Sequence, residues 1–149
     1  MKLETRNFGE IEIDDDKIIE FHEGLPGFEH LQRFAFIDSE EGTFNYLQSI
    51  EDTEICFIIT NPHTFMEAYA PRIQESYFEK LGGGETESFT LFSIVCLRRP
   101  IEASTMNLAA PILIHTEYKK GIQVILEDKK YPARYPFMSS VEKGEKTSC

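Results

Sequence analysis

Short runs of apolar and β-branched residues, separated by polar turns, recur along most of the chain. Two of these runs, Pro111–His115 and Ile122–Leu126, flank a polar stretch that ends in Gly121. This composition predicts an antiparallel hairpin with a loop longer than two residues. Pro111 has no amide proton, so it suits a strand entry or a sheet edge. Ser88–Leu97 is a third apolar run, and we expect the three to form the most apolar part of the fold.

The first half of the chain predicts several more strands. Phe8–Ile13 and Lys17–His22 lie on either side of three aspartates, so we expect them to pair as a hairpin with an acidic tip. Phe34–Asp38 and Phe44–Gln48 indicate two further strands. Glu54–Thr60 has apolar residues at both parities, which is typical of a strand covered on both faces.

Helical patterning is confined to short segments. Apolar residues recur at helical spacing from Ile73 to Leu81, and the glycines at 82–84 end the pattern as a helix C-terminus would. A single helical turn is also expected over Phe28–Gln32. It follows a turn at 24–27, where two glycines flank Leu-Pro.

Many short strands with one or two short helices predict a mainly β fold, a small antiparallel barrel-like single domain. The length of 149 residues is that of one domain. We assign this domain to residues 1–137 and a flexible polar tail to residues 138–149, where the composition becomes polar and charged.

The charge of the chain is unevenly distributed. The net charge is −11, and residues 1–60 contain 15 Asp or Glu against 4 Lys or Arg, whereas residues 61–149 contain 11 of each. Such a protein repels phosphate, which argues against direct nucleic-acid binding. The acidic portion is either a face for a basic partner or simply a solvated surface. No apolar run approaches the length of a membrane span and no signal peptide is evident, so we expect a cytoplasmic protein.

Catalytic and metal-binding motifs are not found in the sequence. The three cysteines lack C-x-x-C spacing, and the aspartates at 14–16 lack the calcium-loop pattern. We therefore predict no cofactor and no metal. A ligand-binding or hydrolase-like barrel stays open as an alternative, with acids such as Glu51 and Asp52 in its mouth.

A set of residues between Phe8 and Phe137 keeps the order and spacing of a known family. The set comprises Gly24-Leu25-Pro26-Gly27-Phe28-Glu29, Phe44, Leu47-Gln48-Ser49, Glu51, Pro62, Tyr69, Asn107-Leu108, Ala110-Pro111-Ile112, Gly121 and Gln123-Val124. On these residues the chain resembles the FliW family of flagellar assembly factors.

The resemblance implies a protein-binding regulator and not an enzyme. It implies two partners, the RNA-binding translational repressor CsrA and flagellin. When flagellin is exported, the freed factor binds the repressor away from its RNA site and lifts the block on flagellin mRNA. A dedicated flagellin export chaperone, which would not bind the repressor, is the alternative within this resemblance.

The candidate partner-binding residues fall into three groups. The carboxylates in Glu10–Glu23, which include the acidic turn, are expected to steer a basic repressor. A polar loop beside an apolar anchor is a composition that binding hot spots use. For the second and third groups a purely structural role is the competing interpretation. The groups are Asp14, Asp15 and Asp16; Asn107, Leu108, Ala110, Pro111 and Ile112; and Gln48, Ser49 and Glu51.

Overall fold

β-strands make up most of the regular structure in the computed structural model, which describes residues 1–39 and 42–138. The predicted tail at 139–149 lies outside the described residues. The strands are β1 Lys2–Thr5, β2 Gly9–Glu12, β3 Ile18–Glu20, β4 Arg33–Asp38, β5 Phe44–Ser49, β6 Cys56–Thr60, β7 Phe89–Cys96, β8 Thr105–Met106, β9 Ile112–His115, β10 Lys120–Gln123 and β11 Tyr135–Pro136, and the helix is α1 Glu75–Lys80.

Seven of the strands close into a barrel. Their order is β7-β6-β5-β4-β3-β10-β9, and β9 pairs back onto β7. The neighbours are antiparallel except β3 and β10, which are parallel and meet only at Glu20 and Lys120. The short strands β8 and β11 extend the sheet from β7. The mainly β, barrel-like fold predicted from the sequence is confirmed, and so is a hairpin of β9 with β10. Its second arm was predicted at Ile122–Leu126, whereas β10 begins at Lys120 and ends at Gln123, so that Gly121 is paired and not part of the turn.

The barrel interior is a single apolar cluster built from alternate residues of the strands. The segment between β3 and β4 adds Leu25 and Leu31 to it, only 1% and 2% exposed. This segment turns sharply at Gly24, where a Cβ atom would lie 2.5 Å from the Cα of Glu29. The helical turn predicted over Phe28–Gln32 is wrong, since the segment forms hydrogen-bonded turns. The remaining residues of the cluster are Phe21, directly after β3, and the strand residues Ile19, Phe34, Leu47, Ile59, Phe92, Ile112 and Ile114.

The predicted N-terminal hairpin pairs differently from expectation. β2 pairs with β1, so that Leu3 lies opposite Ile11, whereas β3 pairs with β4 inside the barrel. The hairpin of Phe8–Ile13 with Lys17–His22 is therefore wrong. The strand β1 has only four residues, which is too short for its pattern to be recognised. It occupies the edge of β2 with which β3 was expected to pair. The aspartates at 14–16 thus connect a separate two-stranded sheet to the barrel.

The helix α1 covers the outer face of β9 and β10, where its apolar residues meet Leu113, Ile122 and Val124. It ends as the sequence predicts, because the N–H groups of Gly82 and Gly83 bond back to carbonyls of the helix's last turn, and both glycines have positive φ. The ring of His115 connects this end to the β9–β10 loop. Its Nε2 lies 3.0 Å from the Gly83 carbonyl oxygen, while two loop N–H groups approach its Nδ1 at 3.2 Å.

Replacing Gly121 by alanine should destabilise the barrel at its parallel seam. A Cβ atom there would lie 2.6 Å from the ring of Phe21, which is fully buried. Overpacking of this kind costs about 1–3 kcal/mol, and urea denaturation measures it. The control is the same Gly121→Ala change made in a Phe21→Leu variant, because the smaller leucine side chain relieves the clash. If Gly121→Ala costs as much with Leu at position 21 as with Phe, the ring contact is not the cause.

Candidate protein-binding surface

The acidic turn Asp14, Asp15 and Asp16 is fully on the surface. All three residues are exposed, and among the described residues none of them takes part in an ion pair. Asp14 precedes the 3₁₀ turn Asp15–Lys17 without capping it through its side chain. The three carboxylates are therefore available to charges outside the chain.

The β1–β2 sheet adds further acids to this turn. Glu4 and Glu10 lie directly opposite each other, and Glu12 lies opposite Lys2 with an oxygen 3.3 Å from the amino group of Met1. Like charges in facing positions destabilise a strand pair. We call the six residues the acidic surface: Glu4, Glu10, Glu12, Asp14, Asp15 and Asp16. Glu4 was not predicted from the sequence because β1 was not found, and the facing position of Glu10 on β2 follows from the same pairing.

A groove lies between β2 and the end of β4, where the small sheet stands against the barrel. Its volume is about 320 Å³. Phe8, at one side, packs edge to face on Tyr46 with ring centroids 5.1 Å apart. We call this the hairpin groove, with apolar members Phe8, Ile11, Ile13, Phe36 and Ile37 and charged members Glu12, Asp14, Lys17 and Asp38.

The segment Asn107 to Ile112 is built into the fold. The side chains of Leu108 and Ile112 are fully buried, Ala110 is 9% exposed, and Pro111 is buried. The Asn107 Oδ1 accepts hydrogen bonds from two backbone N–H groups, those of Ala109 and Ala110, each at 3.0 Å. These contacts give the segment a structural role, and its predicted contact with a partner stays a prediction.

The buried carbonyl oxygen of Leu108 accepts a hydrogen bond from a tyrosine. The Tyr69 hydroxyl donates to it at 2.7 Å. Burial, with the neighbouring Tyr131 second, raises the pKa of the Tyr69 hydroxyl. The hydroxyl therefore stays protonated and keeps donating throughout the physiological range.

The third group, Gln48, Ser49 and Glu51, holds the loop between β5 and β6. The Gln48 Nε2 donates to three carbonyls of this loop, at 3.0, 3.1 and 3.3 Å, and Ser49 Oγ accepts from the N–H of Asp52 at 3.0 Å. Gln48 and Ser49 are fully buried. The exposed Glu51 accepts from two consecutive N–H groups near the start of β4, each at 3.0 Å. Their role in partner binding also stays a prediction.

Reactive groups are sparse in the described part of the chain. Cys56 and Cys96 are both free, and burial raises the pKa of the Cys56 thiol against a smaller lowering by its hydrogen bond with Asn7. The backbone N–H groups of Glu29 and Gly27 lower the pKa of the Glu29 carboxyl. Within residues 1–39 and 42–138, no group of three or more His, Cys, Asp or Glu side chains is arranged to hold a metal ion.

Comparison with known proteins identifies the family. The model of the family described as FliW protein matches residues 2–137. The chain belongs to the FliW family. A flagellar assembly factor FliW from an Exiguobacterium species is 44% identical over 91% of the chain and 94% of its own length. The Alkaliphilus metalliredigens factor of the same name is 35% identical over 99% of the chain and 93% of its own length.

A solved FliW structure confirms the fold. A crystal structure of the flagellar assembly factor FliW superposes with a TM-score of 0.86, at 28% identity, over 92% of this chain and 96% of the other. The relatives' names describe an assembly factor, so the FliW family assigns the chain to flagellar assembly. Among the described residues, no helix is long and apolar enough to cross a membrane.

Two single substitutions should separate repulsion from attraction on the acidic surface. Glu10→Gln removes the repulsion from Glu4 and should raise the melting temperature. Glu12→Gln removes the ion pair with the Met1 amino group and the attraction to the facing Lys2, and should lower the melting temperature. We expect shifts of about 1–2 °C in opposite directions, measured calorimetrically at low salt. Shifts of the same sign would show that pairing across the strands does not control stability here.

Asn107→Ala should lower the stability of the fold. It leaves two backbone N–H groups without their acceptor, at a cost of about 1–2 kcal/mol, measured by chemical denaturation. The affinity of the folded fraction for a partner protein is the second readout, and an unchanged affinity would support a purely structural role. Lost affinity at unchanged stability would instead place Asn107 in a binding interface. Leu108→Ala is a second variant in the same segment. Its side chain is fully buried, so the same two measurements, stability and affinity, apply to it.

Proposed function

We propose that the protein is a cytoplasmic regulator of flagellar assembly that binds the translational repressor CsrA and flagellin in turn. While flagellin occupies the factor, the repressor stays active. Export of flagellin frees the factor, which then binds the repressor and relieves the block on flagellin mRNA. Membership of the FliW family supports the assembly role, and the resemblance stated above suggests the two partners.

The acidic surface is the observation that carries this proposal. An RNA-binding protein presents Lys and Arg to phosphate, so its surface complements a cluster of carboxylates. Complementary potentials accelerate diffusional encounter and disfavour partners of the wrong sign. Because the carboxylates of Asp14, Asp15 and Asp16 have no ion-pair partner in the described part of the chain, their field acts outward.

Replacing Asp14, Asp15 and Asp16 together by lysine should slow association with CsrA. Loss of electrostatic steering reduces the association rate about tenfold or more at low salt, and the rate should also lose most of its dependence on ionic strength. Stopped-flow measurements over a range of salt concentrations test both.

The matched control is the triple replacement of Glu85, Glu87 and Glu102 by lysine. These residues are also exposed, and the change in net charge is the same. The control should slow association far less, since its carboxylates lie outside the acidic surface. Equal slowing by both variants, or a rate independent of salt for the unmodified chain, contradicts steering by the acidic surface.

Binding of each purified partner separately decides between the two candidate functions. Saturable binding of both CsrA and flagellin supports the regulator. Binding of flagellin alone would make the protein a dedicated export chaperone, and binding of neither would overturn the proposal. Titration of the repressor–RNA complex with the protein determines the mode of inhibition. Non-competitive inhibition lowers the maximum RNA occupancy and leaves the apparent RNA affinity unchanged.

A further inference from the structure

We propose that the hairpin groove receives an apolar side chain from a partner segment in which that residue is flanked by Lys or Arg. Assigning this segment to the repressor rests on the function proposed above. The groove itself is a property of the fold, because it forms where the separate β1–β2 sheet stands against β4.

The groove presents apolar surface that the described part of the chain leaves accessible. Ile11 and Ile37 are half-buried, as are Phe8 and Phe36, while Ile13 is 5% exposed. Its volume of about 320 Å³ lies at the lower end of the range of roughly 300–1,000 Å³ for ligand sites. That space suits one or two apolar side chains better than a cofactor.

The charges around the groove select the neighbours of that side chain. Among the described residues that line it, three contribute carboxylates, Glu12, Asp14 and Asp38, and one contributes an ammonium group, Lys17. The Lys17 Nζ lies 4.0 Å from Asp38 Oδ2 and offsets part of that charge, as the Met1 amino group does for Glu12. The Asp14 carboxylate is not offset in this way among the described residues. An apolar residue beside Lys or Arg is therefore favoured, and one beside Asp or Glu is repelled.

A second recess beside the hairpin groove lacks this excess of carboxylates. It has a volume of about 270 Å³ at the barrel end and shares Lys17 and Phe36 with the hairpin groove. Its other charged members are Asp16 and Lys119, so its charges are mixed and offer no clear preference. The side chain of Lys17 lies between the two recesses and limits the negative potential on the groove side.

Short peptides test the groove directly. The probe is an N-acetylated, C-amidated pentapeptide of sequence Lys-Lys-Leu-Lys-Arg, compared with one in which Gly replaces Leu and one in which Glu replaces each basic residue. Two-dimensional amide NMR of the whole chain should show shifts concentrated on β2 and the end of β4 with the first peptide only. Equal shifts with the Gly peptide, or shifts centred elsewhere, overturn the proposal.

Variants of the groove test whether its apolar surface and its negative charge each contribute to peptide affinity. Ile11→Ser removes apolar surface and Asp14→Lys reverses one charge, and we expect each to weaken the first peptide about tenfold. Lys17→Gln should strengthen it two- to fivefold. The matched controls are Ile125→Ser, whose side chain is 58% exposed outside the groove, and Glu127→Lys, also outside it; both should bind like the unmodified chain. Asp14→Lys keeps the test decisive if Ile11→Ser fails to fold.

The same variants distinguish this inference from the proposed function. If CsrA binds the unmodified chain but binds Ile11→Ser and Asp14→Lys equally well, the groove does not seat the repressor, and the proposed function stands. If CsrA does not bind the unmodified chain while the basic peptide still occupies the groove, the proposed function fails and the groove assignment is supported. Parallel loss of peptide and repressor binding in both variants supports both.

Discussion

One parallel contact between β3 and β10 closes the barrel, and the rest of the structure depends on it. The strands meet at Glu20 and Lys120, where the N–H of Glu20 donates to the carbonyl oxygen of Lys119 at 2.8 Å. The contact is possible because Gly121 leaves room for the ring of Phe21. Closure satisfies the sheet edges that would otherwise invite pairing with other chains, and it forms the apolar interior onto which the outer layers pack.

The strands with long apolar runs were predictable, and their order was not. The patterns of Phe34–Asp38, Phe44–Gln48 and Ser88–Leu97 predict β4, β5 and β7 closely, because each is a short run rich in apolar and aromatic residues that polar turns bound. Pairing of β7 with β9 joins residues far apart in sequence, and no local pattern encodes it. The two-residue strands β8 and β11 are also too short to carry a pattern.

The candidate surface was predictable in composition and not in shape. Counting charges locates the acidic portion, but the pairing of Glu4 with Glu10 and the groove beside Ile11 follow from β1, which the pattern does not reveal. Motif positions such as Leu108 and Gln48 prove to be buried. A motif found by resemblance does not distinguish residues that maintain a fold from residues that touch a partner, so a structural role seen in the fold leaves their contact with a partner a prediction.

The independence of the small N-terminal sheet has an evolutionary consequence. Within the described part of the chain it shares no strand pairing with the barrel. Its links to the barrel side include one backbone hydrogen bond, from Arg6 to Thr53 at 3.3 Å, and the contact of Phe8 with Tyr46. Mutations on its outward side can accumulate with little penalty to the scaffold behind it. Binding preference can thus diverge rapidly between lineages while the architecture that presents it is inherited intact.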